Sequence, residues 1–356
     1  MRWSTSSSRS RASRARRSIT LSALALAREL EAAPRFAFDT ETPNETNART
    51  AHLLGMSFAT APGKAWYVAM PRGAASSAGD LFAFAAEDAG DSEAEVKRFV
   101  SVFAKAFADP EKTLVAHNAK FDVTLLRRYG IRFGSVVHDT LLEHYVLDAA
   151  ARHGMDAVAR DVLGYDPIPI TRLIGEPARG KPQKNMADVP LAEIAEYAAE
   201  DADVALRLED ALRPKAEAAG ALEALEKSEE PLVEILADME AEGVRVDVAA
   251  LRAYGVQLDR EIQGLVANIR RFGDPGLNLD SPKQLGDLLF NKLKLDASLA
   301  KKTSTGQYST DEKTLQKLVD FHPVVFDLLE YRACSKLKST YVDKLPACID
   351  PADGRV

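Results

Sequence analysis

The chain of 356 residues has few cysteines, few histidines and no long apolar run, and each shortage argues against a class of protein. Cys334 and Cys348 are its only cysteines, and they are too far apart for a C-x-x-C metal or redox motif. No apolar run approaches the ~20 residues that a helix needs to cross a bilayer. We therefore expect an intracellular protein with reduced thiols, with no membrane segment and no zinc site built from cysteine and histidine.

Acidic residues are missing from the amino-terminal segment. Residues 1–17 contain six arginines and no acid, so the net charge of −7 for the whole chain corresponds to −13 over the remainder. This Ser- and Arg-rich segment has little to bury and is expected to be a disordered, solvated tail; an organellar transit peptide or a DNA-contacting basic arm are the alternatives. The acidic remainder argues against indiscriminate nucleic-acid binding, so any DNA contact would be local or bridged by metal ions.

The length and the hydrophobic content of 46% favour two domains. Turn signals and apolar periodicity divide the first half of the chain into short elements. The pattern predicts a helix at 19–33, a hairpin of strands 53–59 and 65–70 that turns at Pro62-Gly63, a helix at 91–108 and a strand at 113–117.

An apolar strand at residues 35–42 ends in two carboxylates. Because strand side chains alternate, Asp39 and Glu41 share one face while Phe38 and Thr40 share the other. Two carboxylates ~4 Å apart repel by about 4 kcal/mol at an effective dielectric near 20, so a divalent cation is expected between them. A solvated strand end with two surface acids is the alternative.

The helix that follows the strand at 113–117 carries a carboxylate on its apolar face. Asn118, Asp122, Leu125 and Tyr129 recur with helical spacing, so Asp122 occupies a position where packing alone would favour Leu or Ala. This indicates a functional carboxylate. The alternatives are an Asp that complements the helix macrodipole and an Asn118 that serves only as the N-cap.

A long helix predicted at 191–212 places Asp201 in the middle of its apolar stripe, with Tyr197 one turn earlier. A buried charge costs several kcal/mol unless it is paired or bound to a metal. A buried salt bridge to an arginine is the alternative. Asp203 faces elsewhere and is expected at the surface, and Glu200 is expected on the solvent side.

Four carboxylates from three elements therefore face inward or lie at a strand end: Asp39, Glu41, Asp122 and Asp201. Ligands that offer only oxygen suit Mg²⁺ or Mn²⁺ rather than zinc. Two such ions would activate water and stabilise the leaving 3′ oxygen of a phosphodiester in an in-line displacement. The pattern thus predicts a two-cation phosphodiesterase.

Three short motifs in one order support this reading: F-D-x-E-T at Phe38–Thr42, H-N-x-x-F-D at His117–Asp122 and Y-x-x-x-D at Tyr197–Asp201. Together they resemble the exonuclease motifs of the DEDD superfamily, tyrosine branch. Each motif is weak alone, but the set in this order and spacing is specific. The chain is most similar to the proofreading domain of bacterial family A DNA polymerases. The likeness continues to residue 356 through segments 230–247, 279–285 and 337–346, which resemble the start of the polymerase domain in that family.

The resemblance implies an α/β fold. A ribonuclease H-like exonuclease domain, with a mixed central sheet flanked by helices, would span residues 18–215. Residues 216–356 would form the mostly helical thumb and the beginning of the palm of the polymerase domain. The chain stops before the segments that carry that family's catalytic aspartates and nucleotide-binding residues, so we expect no polymerisation, and we expect the chain to be a fragment.

The resemblance also implies roles for individual residues. Asp39, Glu41 and Asp201 would hold the cation that activates water, and Asp39 with Asp122 would contact the second. Tyr197 would orient the attacking water. The residues expected to contact DNA are Asn118, Phe121, Lys301, Lys302, Lys336 and Lys338.

Without the resemblance, these lysines would be interpreted as a solvated surface. One position departs from the family, because Glu45 stands where relatives place an apolar residue beneath the terminal base. The predicted function is a metal-dependent 3′-5′ exonuclease acting on DNA 3′ ends, monomeric and located in the cytoplasm at the nucleoid. An RNA exonuclease of the ribonuclease D type and a non-catalytic DNA-binding remnant are the alternatives.

Overall fold

A computed structural model describes residues 23–44, 47–71, 92–178, 182–303 and 306–356. The chain divides into two compact units, Met1–Glu242 and Gly243–Val356. The tail predicted at residues 1–17 and the departure at Glu45 lie outside the described residues.

The first unit contains a mixed five-stranded sheet. Its strands are β1 (Arg35–Glu41), β2 (Gly55–Ala61), β3 (Lys64–Ala69), β4 (Thr113–Ala116) and β5 (Val137–Asp139), in the order β3-β2-β1-β4-β5. β1 pairs antiparallel with β2 and parallel with β4; β2-β3 is antiparallel and β4-β5 parallel. The predicted hairpin is confirmed, and its turn places Gly63 at φ +76°, a value that favours glycine.

Ten helices of the first unit lie within the described residues. They are α1 (residues 23–32), α2 (Ser92–Val100), α3 (Ala104–Phe107), α4 (Lys120–Arg128), α5 (Thr140–Leu147), α6 (Met155–Val158), α7 (Thr171–Ile174), α8 (Leu191–Ala218), α9 (Leu222–Ala224) and α10 (Glu230–Glu242). A 3₁₀ turn at Ser101–Phe103 joins α2 to α3, and wide turns at Ala159–Leu163 and Leu225–Glu229 follow α6 and α9. The expected α/β fold is therefore confirmed.

The two faces of the sheet carry different side chains. Phe36 and Phe38 of β1 point into an aromatic core, where the Phe107 ring lies 5.2 and 5.1 Å from theirs. On the opposite face, Ala37 and Ala59 pack against a row of small and apolar residues of α8. Because alanine occupies little volume, α8 can lie close to β1. This packing brings the middle of α8 beside the end of β1.

Helix α10 belongs to the first unit. Its Val233 and Ala237 enter the aromatic core, and Arg127 of α4 pairs with Glu234 at 2.6 Å. The domain boundary that we predict between residues 215 and 216 falls inside α8 (Leu191–Ala218), whereas the two compact units divide after α10.

The second unit is mostly helical in its described residues. Its helices are α11 (Val248–Arg270), α12 (Pro282–Gly286), α13 (Glu312–Leu318) and α14 (Pro323–Leu337), with shorter turns at Asp287–Lys292, Ala297–Leu299, Val319–Phe321, Lys338–Val342 and Leu345–Cys348. Leucines, valines, Ile269 and Phe290 form its core. Asp247 and Asp311 cap α11 and α13 by accepting backbone N–H groups at 2.9 and 2.8 Å. Within the described residues, no helix is long and apolar enough to span a bilayer.

Candidate metal centre

Three carboxylates meet at the end of β1. Asp39 and Glu41 of β1 and Asp201 of α8 each place one oxygen within 4.8 Å of the other two. Glu41 and Asp201 are 7% and 8% exposed, and Asp39 is half-buried. This is the arrangement that strand alternation and the apolar stripe of α8 predict. The alternative of a solvated strand end is wrong.

Asp122 of α4 lies next to this group. Its side chain is 4% exposed, and its carboxylate accepts a hydrogen bond from the Thr40 hydroxyl of β1. It is not one of the three carboxylates that meet within 4.8 Å, but the charges of Asp39 and Asp122 act on one another and on Glu41. We call Asp39, Glu41, Asp122 and Asp201 the acid cluster.

The acid cluster has no positive partner within the described part of the chain, where no lysine or arginine forms an ion pair with any of its members. Burial raises the pKa of Asp39 to about 7 and is also the main cause that raises the pKa of Asp201 well above its usual range. Burial and then repulsion from Asp39 raise the pKa of Glu41 and Asp122 in the same way. The arginine alternative for Asp201 is therefore not found.

These residues fit a divalent cation of the Mg²⁺ or Mn²⁺ type. The donors are all carboxylate oxygens, they are largely removed from solvent, and their charge is not compensated. Hard cations prefer such ligands, and a divalent charge would reverse the destabilisation that raises these pKa values.

Tyr197 lies one turn before Asp201 on α8, and its hydroxyl is close enough to the Asp201 carboxylate for the two groups to shift each other's pKa. Its ring is partly buried against an apolar cluster that includes Leu54 and Ile194. Burial, and then the nearby charge of Asp201, raise the pKa of this phenol. Tyr197 is therefore protonated at neutral pH and can donate a hydrogen bond at the edge of the acid cluster.

The two residues predicted to contact a 3′ terminus lie beside Asp122. Asn118 is exposed and has φ +64°, and Phe121 is half-buried at the margin of the aromatic core. The alternative in which Asn118 is the N-cap is wrong, because α4 begins at Lys120 after Ala119, and neither residue's side chain caps it.

The predicted lysines lie in the second unit. Lys301, Lys302 and Lys336 are exposed, and the Lys302 ammonium lies 5.4 Å from the ring centroid of Tyr308. Lys338 differs, because its ammonium lies 3.0 Å from Asp343 and 3.6 Å from Asp259. Any phosphate contact by Lys338 would have to compete with these two carboxylates.

Sequence reasoning overlooked two supporting residues, Thr40 and Asp139. Asp139 directly precedes the apolar run of α5, which is an N-cap signal, and it does accept the Leu141 N–H at 2.9 Å. Its carboxylate also accepts the N–H groups of Asn118 and Ala119, and no sequence pattern predicts these two bonds. Asp203, expected at the surface, is half-buried, and its carboxylate accepts the Gly63 N–H of the hairpin turn.

Glu200 was likewise expected on the solvent side of α8, but it is half-buried. Its carboxylate accepts the Ile168 N–H at 2.6 Å and a hydrogen bond from the Tyr165 hydroxyl. It therefore ties the loop before α7 to α8 rather than facing water alone.

A second buried group of titratable residues lies elsewhere in the first unit: His138, Glu143, Glu209, Arg213 and Glu230, which we call the Arg213 cluster. One ligand atom each from His138, Glu143 and Glu230 lies within 4.8 Å of the others. Arg213 already occupies this space, since its guanidinium lies 3.2 Å from Glu143 and 2.8 Å from Glu230. We therefore assign no metal to this cluster.

Family models match both halves of the chain. Residues 20–217 match the family described as 3′-5′ exonuclease, and residues 248–356 match DNA polymerase family A. A solved structure of the POL domain of Pol1 from M. smegmatis, in complex with DNA primer-template and dNTP, has the same fold. Its TM-score is 0.64 at 24% identity, over 94% of this chain and 50% of that one.

Curated relatives agree with the family models. DNA polymerase I of Chloroflexus aurantiacus is 35% identical over 340 residues, which cover 93% of this chain and 33% of that protein. DNA polymerase I of Pseudomonas aeruginosa is 37% identical over 92% of this chain and 34% of its own length. The chain thus spans about a third of these relatives. Since one family model covers more than half of its residues, the chain belongs to the 3′-5′ exonuclease family and is a homologue of bacterial DNA polymerase I.

Proposed function

We propose that the chain is a metal-dependent 3′-5′ exonuclease that releases nucleotides one at a time from a DNA 3′ end, as in proofreading. The observation that carries the proposal is the meeting of Asp39, Glu41 and Asp201 within 4.8 Å, with Asp122 adjacent and no arginine or lysine paired with them among the described residues. Such a group is costly to bury unless it binds a cation.

Two divalent cations, Mg²⁺ or Mn²⁺, would be held by the acid cluster. Asp39, Glu41 and Asp201 would hold one, and Asp39 with Asp122 the other. When bound, such ions lower the pKa of water and stabilise charge on the phosphodiester oxygens. The protein supplies four preplaced carboxylates, and Thr40 orients the one on Asp122 through its hydroxyl.

Other side chains would position the substrate and the attacking water. Tyr197 stays protonated and would donate its hydroxyl to the attacking water while it remains next to Asp201. Asn118 would hydrogen-bond the terminal nucleotide through its exposed amide, and Phe121 would contact the terminal sugar or base. These groups would hold the last phosphodiester against the acid cluster.

DNA is the proposed partner because the relatives are DNA polymerases I. Lys301, Lys302 and Lys336, together with Lys338, would contact backbone phosphates, with Lys338 weakest because of its carboxylate neighbours. We further propose a monomer that acts at the nucleoid in the cytoplasm, in DNA replication and repair.

The proposal is tested with 5′-labelled single-stranded DNA and RNA of one sequence, in Mg²⁺ and in EDTA. The double variant Asp39→Ala, Glu41→Ala and the single variant Asp201→Asn should each lose at least about a thousandfold in rate, which corresponds to about 4 kcal/mol. Asp203→Asn is the matched control, because it lies one half-turn along the same helix and its oxygen can still accept the Gly63 N–H.

Each outcome decides between the candidate functions. Stepwise Mg²⁺-dependent shortening of DNA by the wild-type chain and by Asp203→Asn supports the proposal. Undiminished hydrolysis by the double variant would refute the assignment of the acid cluster. Faster cleavage of RNA would favour the ribonuclease D type of function, and DNA binding without cleavage would favour a non-catalytic role.

A further inference from the structure

Asp139 ends β5 and accepts hydrogen bonds from two separate segments of the chain. One of its carboxylate oxygens accepts the N–H of Leu141, at 2.9 Å, and so caps α5. The same oxygen accepts the N–H of Asn118 at 2.8 Å, and the other oxygen accepts the N–H of Ala119 at 2.8 Å. Asp139 is 3% exposed, so the accepting carboxylate is largely removed from water.

The segment that Asp139 holds needs support from outside. Asn118 has φ +64°, in the left-handed region, which asparagine adopts more readily than most residues other than glycine. Helix α4 starts two residues later, and no side chain of its own segment caps it. Asp139 therefore supplies, from the neighbouring strand, acceptors that fix the backbone at the entry to α4.

Thr140 adds a second link to the same segment. The Thr140 hydroxyl lies 2.8 Å from Nδ1 of His117, and Nε2 of His117 lies 2.9 Å from the carbonyl oxygen of His153. Burial lowers the pKa of His117 to about 4, so the ring is neutral at pH 7. Because a carbonyl can only accept, Nε2 carries the proton and Nδ1 accepts from the Thr140 hydroxyl, which also lies 3.3 Å from the Ala116 carbonyl oxygen. Both ring nitrogens of His117 are thus fixed, and Asp139 with Thr140 forms a clamp on residues 117–119.

The clamped segment leads directly into the groups proposed to act on substrate. Asn118 is itself part of it, Phe121 follows two residues after Ala119, and Asp122 is the third residue of α4. A small rotation of the backbone at residues 117–119 would move all three side chains together. The clamp therefore fixes the backbone from which the side chains of Asn118, Phe121 and Asp122 project.

We propose that Asp139, assisted by Thr140, is a positioning residue of the exonuclease site that places Asn118 for the 3′ terminal nucleotide and Asp122 for the second cation. The inference rests on the proposed function. It assigns Asp139 no contact with substrate, only control of the segment that makes the contact.

The experiment compares Asp139→Asn with Asp148→Asn in the full chain. Asparagine keeps the size of the side chain but replaces one acceptor oxygen with an NH₂ group, which cannot accept an N–H. Asp148 is an exposed aspartate nearby that also accepts a backbone N–H, from Ala150 at 3.1 Å, but it does not contact residues 117–119. It therefore controls for the loss of charge and of a local cap.

We expect Asp139→Asn to raise KM for labelled single-stranded DNA about tenfold and to weaken Mn²⁺ binding measured by calorimetry by a factor of about 10–100, whereas Asp148→Asn changes both less than twofold. If Asp139→Asn does not fold, Thr140→Val, which removes the hydroxyl that lies beside His117 Nδ1 and the Ala116 carbonyl, should shift KM and Mn²⁺ affinity in the same direction. A folded clamp variant with wild-type KM and wild-type Mn²⁺ affinity would overturn the inference. Absence of Mg²⁺-dependent hydrolysis in the wild-type chain would instead overturn the proposed function.

Discussion

The first unit buries two clusters of carboxylates, and only one of them has its own cation. In the Arg213 cluster, Arg213 lies within ion-pair distance of Glu143, Glu230 and Glu226, and Arg35 lies 2.7 Å from Glu209. The acid cluster has carboxylates of similar burial and no arginine or lysine paired with them in the described ranges. Burial of acids alone therefore does not identify a catalytic site; buried acids whose charge is uncompensated do.

The Arg213 cluster also contains one carboxylate that its arginine does not fully compensate. Glu143 has one carboxylate oxygen that is buried and without a hydrogen-bond partner in the described structure, and burial raises its pKa to about 8. Burial alone would lower the pKa of Arg213, but the hydrogen bonds to its carboxylate partners raise it overall. The guanidinium thus stays charged and a proton on Glu143 can supply the remaining balance.

Removing the cation of the Arg213 cluster should have the largest effect. Arg213→Met leaves Glu143 and Glu230 buried without a counter-charge, and we expect the free energy of unfolding to fall by about 3–5 kcal/mol. Chemical denaturation followed by circular dichroism measures this change. Lys227→Met is the control, because the exposed Lys227–Glu223 pair should contribute less than about 1 kcal/mol.

The same variant separates structure from catalysis. At a temperature where Arg213→Met is folded, its Mg²⁺-dependent hydrolysis should stay near the wild-type rate. A folded Arg213→Met chain that has lost hydrolysis would show that the Arg213 cluster takes part in the reaction.

Metal ions should stabilise the acid cluster and not the Arg213 cluster. Without metal, in EDTA, the members of the acid cluster have higher pKa values in the folded chain than in the unfolded chain. Their contribution to the free energy of unfolding is therefore greatest below about pH 4, where they are protonated in both states. This stabilisation is lost as the pH rises through the folded pKa, which is about 7 for Asp39, at a slope of about 1.4 kcal/mol per pH unit for each proton released.

Saturating Mg²⁺ at pH 7.5 should therefore raise the free energy of unfolding, by about 2.7 kcal/mol at a hundred times the dissociation constant. Asp201→Asn should remove most of this gain. Both the wild-type chain and Asp201→Asn should still lose stability between pH 7.5 and pH 8 in Mg²⁺. This loss comes from Glu143, whose pKa burial raises to about 8. A chain whose stability does not respond to Mg²⁺ or Mn²⁺ would contradict a metal site at the acid cluster.

Members of the acid cluster can be predicted from the sequence because they interrupt regular patterns of apolar residues. Asp201 stands in an apolar helical stripe, and Asp39 and Glu41 lie at the end of an alternating strand, so periodicity alone assigns their faces. The structure shows these faces turned toward one another, because alanines of β1 and β2 pack against α8.

The residues that hold the site together could not be predicted in the same way. Asp139 looks like an ordinary N-cap, and its bonds to Asn118 and Ala119 depend on how β5 lies beside β4. Helical periodicity gives the face of α8 on which Asp203 lies, but it does not show the hairpin turn whose Gly63 N–H this carboxylate accepts. Sequence patterns report burial along one element, whereas these contacts arise between elements.

The smallest effect expected concerns Thr40 of β1, whose hydroxyl donates to Asp122 of α4. Thr40→Val keeps the shape of the side chain but removes the hydroxyl that donates to Asp122. That hydrogen bond lowers the pKa of Asp122 against the larger effect of burial, so its loss should raise this pKa further. We expect hydrolysis to fall about tenfold at pH 7, about 1.4 kcal/mol in activation free energy, with the pH profile displaced to higher pH.

Thr124→Val is the matched control, because this buried hydroxyl of α4 donates to the Lys120 carbonyl at 2.8 Å and not to the acid cluster. It should lower stability slightly and leave the pH profile in place. Rates of nucleotide release measured from pH 6 to pH 9 distinguish the two variants. If both profiles coincide with that of the wild-type chain, the Thr40 hydroxyl does not affect the pKa of Asp122. The two carboxylate clusters would then differ only in that the Arg213 cluster contains a paired arginine and the acid cluster does not.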